Sequence, residues 1–406
     1  MSRLSSTLQE GGLYVLLFLL PFSISTIEVA FGVLLCCWLY ERWSRRTRQD
    51  TIWTRQSLRP ILWSMGAFLA IGALSILVSD HPQHSLKGLV TKWAEYLFYT
   101  VLVAELAARP NVVRRSAVVI AASACFVVIE AVTQELWGHG VFRGYPLTMY
   151  SRMTGPYHNP IDLAIYFMAV SGPLLAAGLL ERGARRWGSW AVLGLVMACF
   201  GRTLALGPWV ALAVACVAVM MPAERRFRRA GMVLLGLMAA AAAYFLWRTH
   251  LTHAVFTLSD PGTSDRRFMW ESALRMIRDR PLLGHGLNTF MANYLDYWVG
   301  GERMPRYAHN CYLQTAAETG LIGLAAFVWM LWQVGARIKA SLGPPATEER
   351  LLLVGLATGW AAFVVHAGVD TDFYSVRQAA LFWIMSGLGL GLGARLGDAA
   401  PVRREP

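Results

Sequence analysis

Long apolar stretches separated by short polar connections recur along the whole chain of 406 residues. A helix needs roughly 20 apolar residues to cross a bilayer, and these stretches approach or reach that length. We therefore predict an all-α, polytopic membrane protein with about twelve transmembrane helices. The predicted helices occupy residues 11–24, 26–41, 60–79, 89–108, 116–136, 159–180, 188–201, 203–222, 231–247, 311–336, 351–369 and 377–394.

One polar interval, residues 248–310, is much longer than the others and lies just before the tenth predicted helix. The chain therefore divides into residues 1–247 with the first nine helices, this polar segment, and residues 311–406 with the last three helices and a tail. Within the polar segment, Asp265–Arg280 has the period of an amphipathic helix. We expect a large helical segment outside the membrane and no separate soluble domain.

The composition supports this assignment, because 56% of the residues are hydrophobic and only 15% are charged. A soluble domain of this length could not bury so much apolar surface in one core. The net charge of +12 could indicate a nucleic acid partner. The basic residues, however, lie in short clusters between apolar stretches, which is typical of the cytoplasmic loops of membrane proteins. We expect contact with membrane lipids and none with nucleic acid.

The distribution of Lys and Arg also predicts an orientation. Most of them fall in alternate connections, which places both termini in the cytoplasm. The long segment 248–310 then lies in the periplasm of a bacterial inner membrane, since long segments cross largely regardless of their charge. The basic connections are residues 42–59, 109–115, 181–187, 223–230 and 337–350.

The chain offers little for a metal or a cofactor. Five of the six cysteines lie in apolar stretches and none has CxxC spacing, so we predict neither a disulfide framework nor a zinc site. Asp370-Thr371-Asp372 resembles a metal-binding DxD motif, but no nucleotide-binding domain surrounds it. Gly284-His285-Gly286 resembles part of a phosphate loop, yet no strand precedes it, so a turn is the better interpretation. We expect no cofactor and no metal.

Arg266 lies in the middle of the apolar face of the predicted amphipathic helix. At about 100° per residue, Trp270, Met269 and Ala273 share its face, whereas Arg267 lies on the polar arc. A buried guanidinium needs an anionic or a carbonyl partner. Arg266 therefore predicts either a structural ion pair or a phosphate site, since arginine binds phosphate through two parallel hydrogen bonds.

Two further arginines interrupt apolar sequence or lie beside it. Arg202 lies inside an apolar stretch that runs from Trp187 to Met221. An arginine at membrane depth usually faces a cavity or a partner, although one at a turn can also extend to the surface. Arg152 begins a polar turn, residues 152–160, just outside a helix, and Pro and Gly punctuation alone would explain that turn.

His309 and Asn310 stand at the start of the predicted helix 311–336. Unpaired N–H groups and the helix dipole favour an anion there. Asn310, Gln314 and Glu318 follow one another at four-residue spacing, which predicts a polar stripe descending into the membrane. A lone histidine at a helix start is usually a plain cap, but the stripe favours a functional role, and histidine can act as a base near neutral pH.

These residues together resemble a known family. His309-Asn310, nine residues and then Gly320-Leu-Ile-Gly323 resemble the H-N-x9-G-x-x-G signature of bacterial O-antigen ligases. Arg266 and Trp270, followed by Pro281-Leu-Leu-Gly-His-Gly286, resemble the R-x-x-x-W and P-L-x-G-x-G stretch of the same superfamily. Two weaker likenesses are Arg202, in a Gly-Arg-Thr turn where the family usually has Ser-Arg-Gly, and Arg152 with Gly155 and Asn159.

The resemblance implies a metal-independent, inverting glycosyltransferase of lipopolysaccharide biosynthesis. Such a ligase moves O-antigen polysaccharide from undecaprenyl pyrophosphate to lipid A–core oligosaccharide on the periplasmic face of the inner membrane. His309 would be the general base, and Arg266 and Arg202 would bind the pyrophosphate. Asn310, Arg152 and Asp370 would complete the substrate site, with Asp370 either orienting His309 or binding sugar.

Three alternatives remain open at this point. O-antigen polymerases use the same donor, but of their R-x10-G spacings we find only Arg275 to Gly286, with Arg275 on the polar arc. Protein O-oligosaccharyltransferases often carry a C-terminal periplasmic domain, whereas this sequence ends in a short predicted tail. A polyprenyl-lipid transporter should show two repeated halves and polar groups near the membrane midplane, and we detect no repeat.

Overall fold

The computed structural model describes residues 2–44, 51–148, 152–248, 261–301, 303–343 and 347–398. These residues are mostly helical and contain two isolated β-bridges but no β-strand. Seven of the described helices are long and apolar enough to cross a membrane. The predicted all-α polytopic fold is confirmed, whereas a crossing number of twelve stays a prediction.

Each of the twelve predicted apolar stretches coincides with a helix, and the boundaries differ by at most a few turns. The first helices are α1 Ser2–Leu19, α2 Ile24–Ser44, α3 Arg59–Ile76, α4 Pro82–Gly88, α5 Glu95–Ala107, α6 Val112–Trp137, α7 Pro160–Leu180 and α8 Gly183–Arg202. The others are α9 Leu206–Ala215, α10 Arg225–Arg248, α11 Pro261–Asp279, α12 Phe290–Asn293, α13 Cys311–Ala340, α14 Glu348–His366 and α15 Val376–Asp398. The π-helical turns Leu89–Ala94 and Cys216–Met220 precede α5 and follow α9.

The centre of the bundle is built from α7, α14 and α15, which are the most deeply buried of the membrane-length helices. Small residues let these helices approach closely. A Cβ atom at Gly172 in α7 would lie 2.2 Å from the carbonyl oxygen of Gly355 in α14. Likewise, a Cβ atom at Gly391 in α15 would lie 2.2 Å from the carbonyl oxygen of Ala104 in α5. Packing through small residues is the usual means by which helices associate in membranes.

The helix connections form two ends of different character. At one end, the backbone N–H of Cys311 donates to the carbonyl of Ala367, which joins the start of α13 to the end of α14. The opposite end carries the basic connections, where Arg55 donates to the carbonyl of Ala394 and Arg109 to the side chain of Gln9. The bundle therefore separates the basic loops from the end that carries His309, while its orientation in the membrane stays a prediction.

The predicted amphipathic helix is α11, and its apolar face is buried as expected. Met269, Ala273 and Met276 are at most 3% exposed and pack against α12, its neighbouring turn and the start of α13. Arg267, on the opposite arc, is exposed. The helical segment 261–310 therefore lies on the bundle as a cap rather than as a separate domain.

Helix α13 is broken at Gly320, a feature that the uninterrupted apolar stretch 311–336 did not predict. Gly320 has φ 70°, and the loop 281–286 docks into the break. The N–H groups of His285 and Gly286 donate to the carbonyls of Ala317 and Glu318, and that of Leu321 donates to the carbonyl of Pro281. The loop thus satisfies the backbone groups that the break releases, and Gly284-His285-Gly286 serves as a backbone clip.

Candidate active site

Asp370 brings together two of the residues that the sequence analysis singled out. Its Oδ1 atom lies 2.9 Å from Nδ1 of His309, and its Oδ2 atom lies 3.5 Å from Nη2 of Arg266. Asp370 itself is 7% exposed, whereas the side chains of His309 and Arg266 are 32% and 30% exposed. A buried carboxylate therefore stands behind a histidine and an arginine that solvent can reach.

The local backbone explains why His309 occupies this position. His309 has a positive φ of 46° and precedes Asn310, whose Oδ1 accepts hydrogen bonds from the N–H groups of Tyr312 and Leu313 at 3.0 Å. Nδ2 of Asn310 donates to the carbonyl of Gly368 at 2.8 Å. Asn310 therefore caps α13 and ties it to the connection that carries Asp370. Its contact with substrate stays a prediction.

The surroundings of Asp370 keep its carboxylate ionised. Burial by itself would raise the pKa of Asp370, but the hydrogen bond and charge of His309, with the charges of His366 and Arg266, lower it to about 2. An ionised carboxylate at this position accepts a hydrogen bond from Nδ1 of a neutral imidazole, which leaves a lone pair on Nε2. Within the described part of the chain, Asp370 is the hydrogen-bond partner of the His309 side chain.

A second histidine–aspartate pair lies beside the first and was not predicted. Nδ1 of His366 lies 2.9 Å from Oδ2 of Asp372, and both residues are 1% exposed. Burial raises the pKa of Asp372, although the charge of His366 partly opposes this effect. A Cβ atom at Gly207, near the start of α9, would lie 3.0 Å from Nε2 of His366, so α9 packs directly over this pair.

The DxD pair therefore has protein partners. Asp370 contacts His309 and Arg266, and Asp372 contacts His366. Among the described residues, no group of three or more His, Cys, Asp or Glu side chains is placed to hold a metal ion. A signal in the sequence could have revealed the second pair: His366, Asp370 and Asp372 lie within seven residues of one another at the end of an apolar helix.

Arg202 and Arg152 meet at a neighbouring turn. Arg202 ends α8, and its Nη2 lies 2.6 Å from both carboxylate oxygens of Glu135 in α6. Nε of Arg152 donates to the carbonyl of Thr203 at 2.7 Å, and the N–H of Met153 donates to the carbonyl of Arg202 at 3.4 Å. The same turn continues into α9, which contacts His366 through Gly207. The turn therefore links both arginines to the network around Asp370.

A groove of about 500 Å³ lies against Arg202 between α6, α8 and α10. Apart from Arg202 and Glu135, its walls are largely apolar. A Cβ atom at Gly194, in the middle of the α8 wall, would meet no other atom within 4 Å, so the groove is open there. The apolar walls include Val132, Leu195, Met197, Ala198, Leu237 and Ala241.

The polar stripe below Asn310 makes hydrogen bonds within the protein. Glu318 is fully buried and accepts hydrogen bonds from the N–H groups of Asn288 and Phe290 at 2.7 and 3.2 Å. It also accepts from Nε2 of Gln314 and from the hydroxyl of Tyr374. These bonds hold the helical segment 261–310, hereafter the outer segment, against α13. The stripe by itself therefore does not indicate catalysis.

Comparison with known proteins adds a finding that geometry alone does not give. Residues 187–328 match the O-antigen ligase family. The matched span begins in α8 and ends in α13, so it contains Arg202, Arg266, His309 and Asn310. The resemblance to the O-antigen ligase family that the motifs predicted is therefore confirmed.

Two relatives of known name match a third or more of the chain. The protein named "Putative polysaccharide ligase RC0486" of Rickettsia conorii is 25% identical over 142 residues, which are 33% of this chain and 31% of that protein. Exopolysaccharide production protein ExoQ of Rhizobium meliloti is 24% identical over 180 residues, which are 42% of this chain and 40% of that protein. The chain thus spans about a third of the length of the first of these relatives. With the apolar helices, these matches indicate a multi-pass membrane protein that is similar to polysaccharide ligases.

Proposed function

We propose that this protein is a glycosyltransferase that moves O-antigen polysaccharide from undecaprenyl pyrophosphate to lipid A–core oligosaccharide. Transfer takes place on the periplasmic face of the inner membrane, with both chain termini in the cytoplasm. The observation that carries the proposal is the cluster of His309, Asp370 and Arg266, because it combines a reachable base, its orienting carboxylate and a cation. His309 and Arg266 both lie within the span that matches the O-antigen ligase family.

His309 serves as the general base. Asp370 holds its Nδ1, and Nε2 takes the proton of an acceptor sugar hydroxyl. The hydroxyl oxygen then forms a bond to the anomeric carbon of the donor as the bond from that carbon to the pyrophosphate oxygen breaks. The electron pair of the broken bond stays on undecaprenyl pyrophosphate. Direct displacement of this kind inverts the anomeric configuration.

Arginines stabilise the charge that builds up on the departing pyrophosphate. Arg266 lies beside the base, Arg202 begins the turn that leads to α9, and Arg152 donates a hydrogen bond to Thr203 of that turn. The guanidinium groups present several N–H donors to phosphate oxygens and remain charged at any physiological pH. The donor already has a good leaving group, so the reaction needs neither a nucleotide nor a metal ion.

The groove beside Arg202 is suited to the polyprenyl tail of the donor. Its walls are largely apolar, and Arg202 provides a cation at the position that the pyrophosphate would occupy. A tail that stays among apolar side chains and lipid avoids the cost of exposure to water. Asn310 places the base by capping α13.

Similarity to ExoQ supports one alternative, an O-antigen polymerase that uses the same donor and extends a glycan instead of loading lipid A–core. A protein O-oligosaccharyltransferase would differ only in its acceptor. A polyprenyl-lipid transporter is less well supported, because the charged cluster lies at one end of the helices and not at their middle.

The test is transfer by the purified protein in defined components. Undecaprenyl pyrophosphate carrying O-antigen and lipid A–core are mixed with the protein without nucleotides, with EDTA in a parallel reaction. We expect ligated product, with inverted anomeric configuration, in both reactions. Lengthened glycan on the carrier would favour the polymerase, and movement of donor across vesicles without transfer would favour the transporter. Activity lost in EDTA and restored by magnesium would contradict the metal-independent mechanism.

A further inference from the structure

The ion pair of Arg202 with Glu135 lies where the apolar groove meets the turn that carries Arg152. Glu135 is near the end of α6 and Arg202 is the last residue of α8, so two separate helices bring the charges together. The two side chains are 40% and 27% exposed. A ligand that enters the groove with an anionic head therefore meets an arginine that already binds an anion.

A pair this exposed contributes little to the stability of the fold. Exposed ion pairs typically stabilise a protein only slightly, because water screens the charges. The end of α8 is also held by apolar contacts, since the buried ring of Phe200 packs against Phe167 of α7 and Trp209 of α9. The carboxylate of Glu135 can therefore be replaced by another anion at low cost.

We propose that Glu135 is a counter-ion that the donor pyrophosphate displaces from Arg202, and whose return assists release of the carrier. This inference rests on the proposed function, in which Arg202 binds the donor. The ligand class is a lipid pyrophosphate, with its apolar tail along the groove and its phosphates at Arg202 and Arg152. Glu135 is thus a positioning residue that acts through Arg202.

The charges of substrate and product explain why such a counter-ion is useful. In the donor, the pyrophosphate is esterified at both ends, to lipid and to sugar. Transfer breaks the bond to the sugar, so the terminal phosphate gains an ionisable oxygen and the product binds arginine more strongly than the donor. A carboxylate that competes for Arg202 weakens both complexes and prevents the spent carrier from remaining in the site.

The decisive variant is Glu135→Gln, which removes the competing charge and keeps the size of the side chain. Binding of undecaprenyl pyrophosphate to the purified full-length protein is measured directly, followed by steady-state and single-turnover transfer. We expect carrier affinity to increase roughly 2- to 5-fold, the range for loss of one exposed charge pair. The donor KM and kcat should fall, whereas the single-turnover rate should hold because chemistry is not altered.

Two controls frame this result. Glu271 pairs with Arg275 on α11 at the same end of the bundle, and its side chain is 48% exposed. Glu271→Gln makes the same charge change there and should leave carrier affinity unchanged. Glu135→Asp retains the charge and should stay near wild type. Glu135→Ser provides a second neutral variant, which must shift carrier affinity in the same direction if Glu135→Gln does not accumulate.

Carrier affinity that is unchanged or weaker in the neutral variants would overturn the proposal. So would an equal increase in Glu271→Gln, because it would reflect the overall charge of the surface and not Arg202. Failure of the proposed function has a different signature. If wild-type protein does not transfer glycan but the neutral variants still bind the carrier more tightly, the counter-ion is supported and the ligase activity is contradicted.

Discussion

Two buried carboxylates beside α13 show how similar chemistry is used in different ways. Glu318 lies within the helix, is fully buried and accepts four hydrogen bonds from protein groups. Asp370 lies in the connection after α14, next to the start of α13, and is almost as buried as Glu318. Its partners, His309 and Arg266, are each about one-third exposed. One carboxylate therefore faces only protein, and the other supports groups that face outward.

The partners of a buried carboxylate distinguish a structural role from a chemical role better than its burial or its charge does. A carboxylate whose oxygens are all used by backbone and side-chain donors stabilises a particular packing. A carboxylate that holds one side of an exposed histidine leaves the other side for a substrate. His309 and Glu318 both lie in the H-N-x9-G-x-x-G region, so the motif combines the proposed base with a residue that supports the packing around it.

The largest effect should come from His309→Ala, with transfer falling by ~10²- to 10⁴-fold, the usual contribution of a general base. Donor affinity should change little, since the cations that bind pyrophosphate lie elsewhere. His309→Gln should be nearly as inactive because it cannot take a proton. His84→Ala, at an exposed histidine at the same end of the bundle, is the control. Near-normal turnover of His309→Ala at saturating donor would show that this histidine only binds phosphate.

A somewhat smaller loss is expected for Arg266→Ala, of roughly 10²- to 10³-fold in rate, as when one charge-stabilising group is removed. Arg266→Lys should rescue poorly because it keeps the charge and loses the planar fork. Arg267→Ala removes the same charge from the exposed arc of α11 and should have little effect. Equal losses from the two alanine variants would mean that the facing of α11 does not determine function. Transfer rates on membranes with matched protein levels provide the comparison.

Glu318→Ala should act on folding and not on chemistry. It leaves the N–H groups of Asn288 and Phe290 without their acceptor, and each buried, unpaired group costs roughly 1–3 kcal/mol. The expected result is a lower thermal midpoint in detergent and poor accumulation in the membrane. Glu318→Gln keeps one acceptor oxygen and should be milder. An alanine variant that accumulates normally but cannot transfer glycan would move Glu318 from the structural to the catalytic group.

The smallest predicted effect concerns Asp370 and acid. Its folded-state pKa of about 2 lies below the ordinary value of 3.8. The ionised group therefore contributes stability that is fully present above pH ~4 and is lost as the pH falls towards 2, about 2 kcal/mol at most. Asp370→Asn should lower the thermal midpoint at pH 7, and its difference from wild type should shrink between pH 4 and pH 2. A difference that is constant with pH would show that the charge of Asp370 does not stabilise the fold.

The sequence predicted the helices well because a segment that crosses a membrane must satisfy its backbone hydrogen bonds internally. Long apolar stretches therefore indicate helices. The sequence also predicted Arg266 and His309 as site residues, since a cation or a histidine beside apolar sequence requires an explanation, and both contact Asp370. The facing of α11 followed from a simple period, as the burial of Met269 and Ala273 shows.

Other features depend on pairings that no local pattern contains. Asp370 was recognised only weakly, because its importance comes from residues 61 and 104 positions away that fold onto it. Asp372 resembles part of a DxD motif in the sequence, whereas its partner, His366, lies in the preceding helix. The break at Gly320 was hidden because the residues that repair it, in the loop 281–286, lie far away in sequence. The backbone donors to Glu318 are also remote in sequence, because they lie 28 and 30 positions before it.

The break in α13 also sets rules for anyone who would recombine these proteins. The carbonyl oxygen of Leu282 would lie 2.0 Å from a Cβ atom at Gly320, and the N–H of Leu321 is bonded to Pro281. The outer segment and the upper half of α13 are therefore one inseparable cassette. A chimera that joins the outer segment of one relative to the helix of another would succeed when its crossover falls after Gly323. A crossover at the start of α13 would separate the loop 281–286 from the break at Gly320 into which it docks.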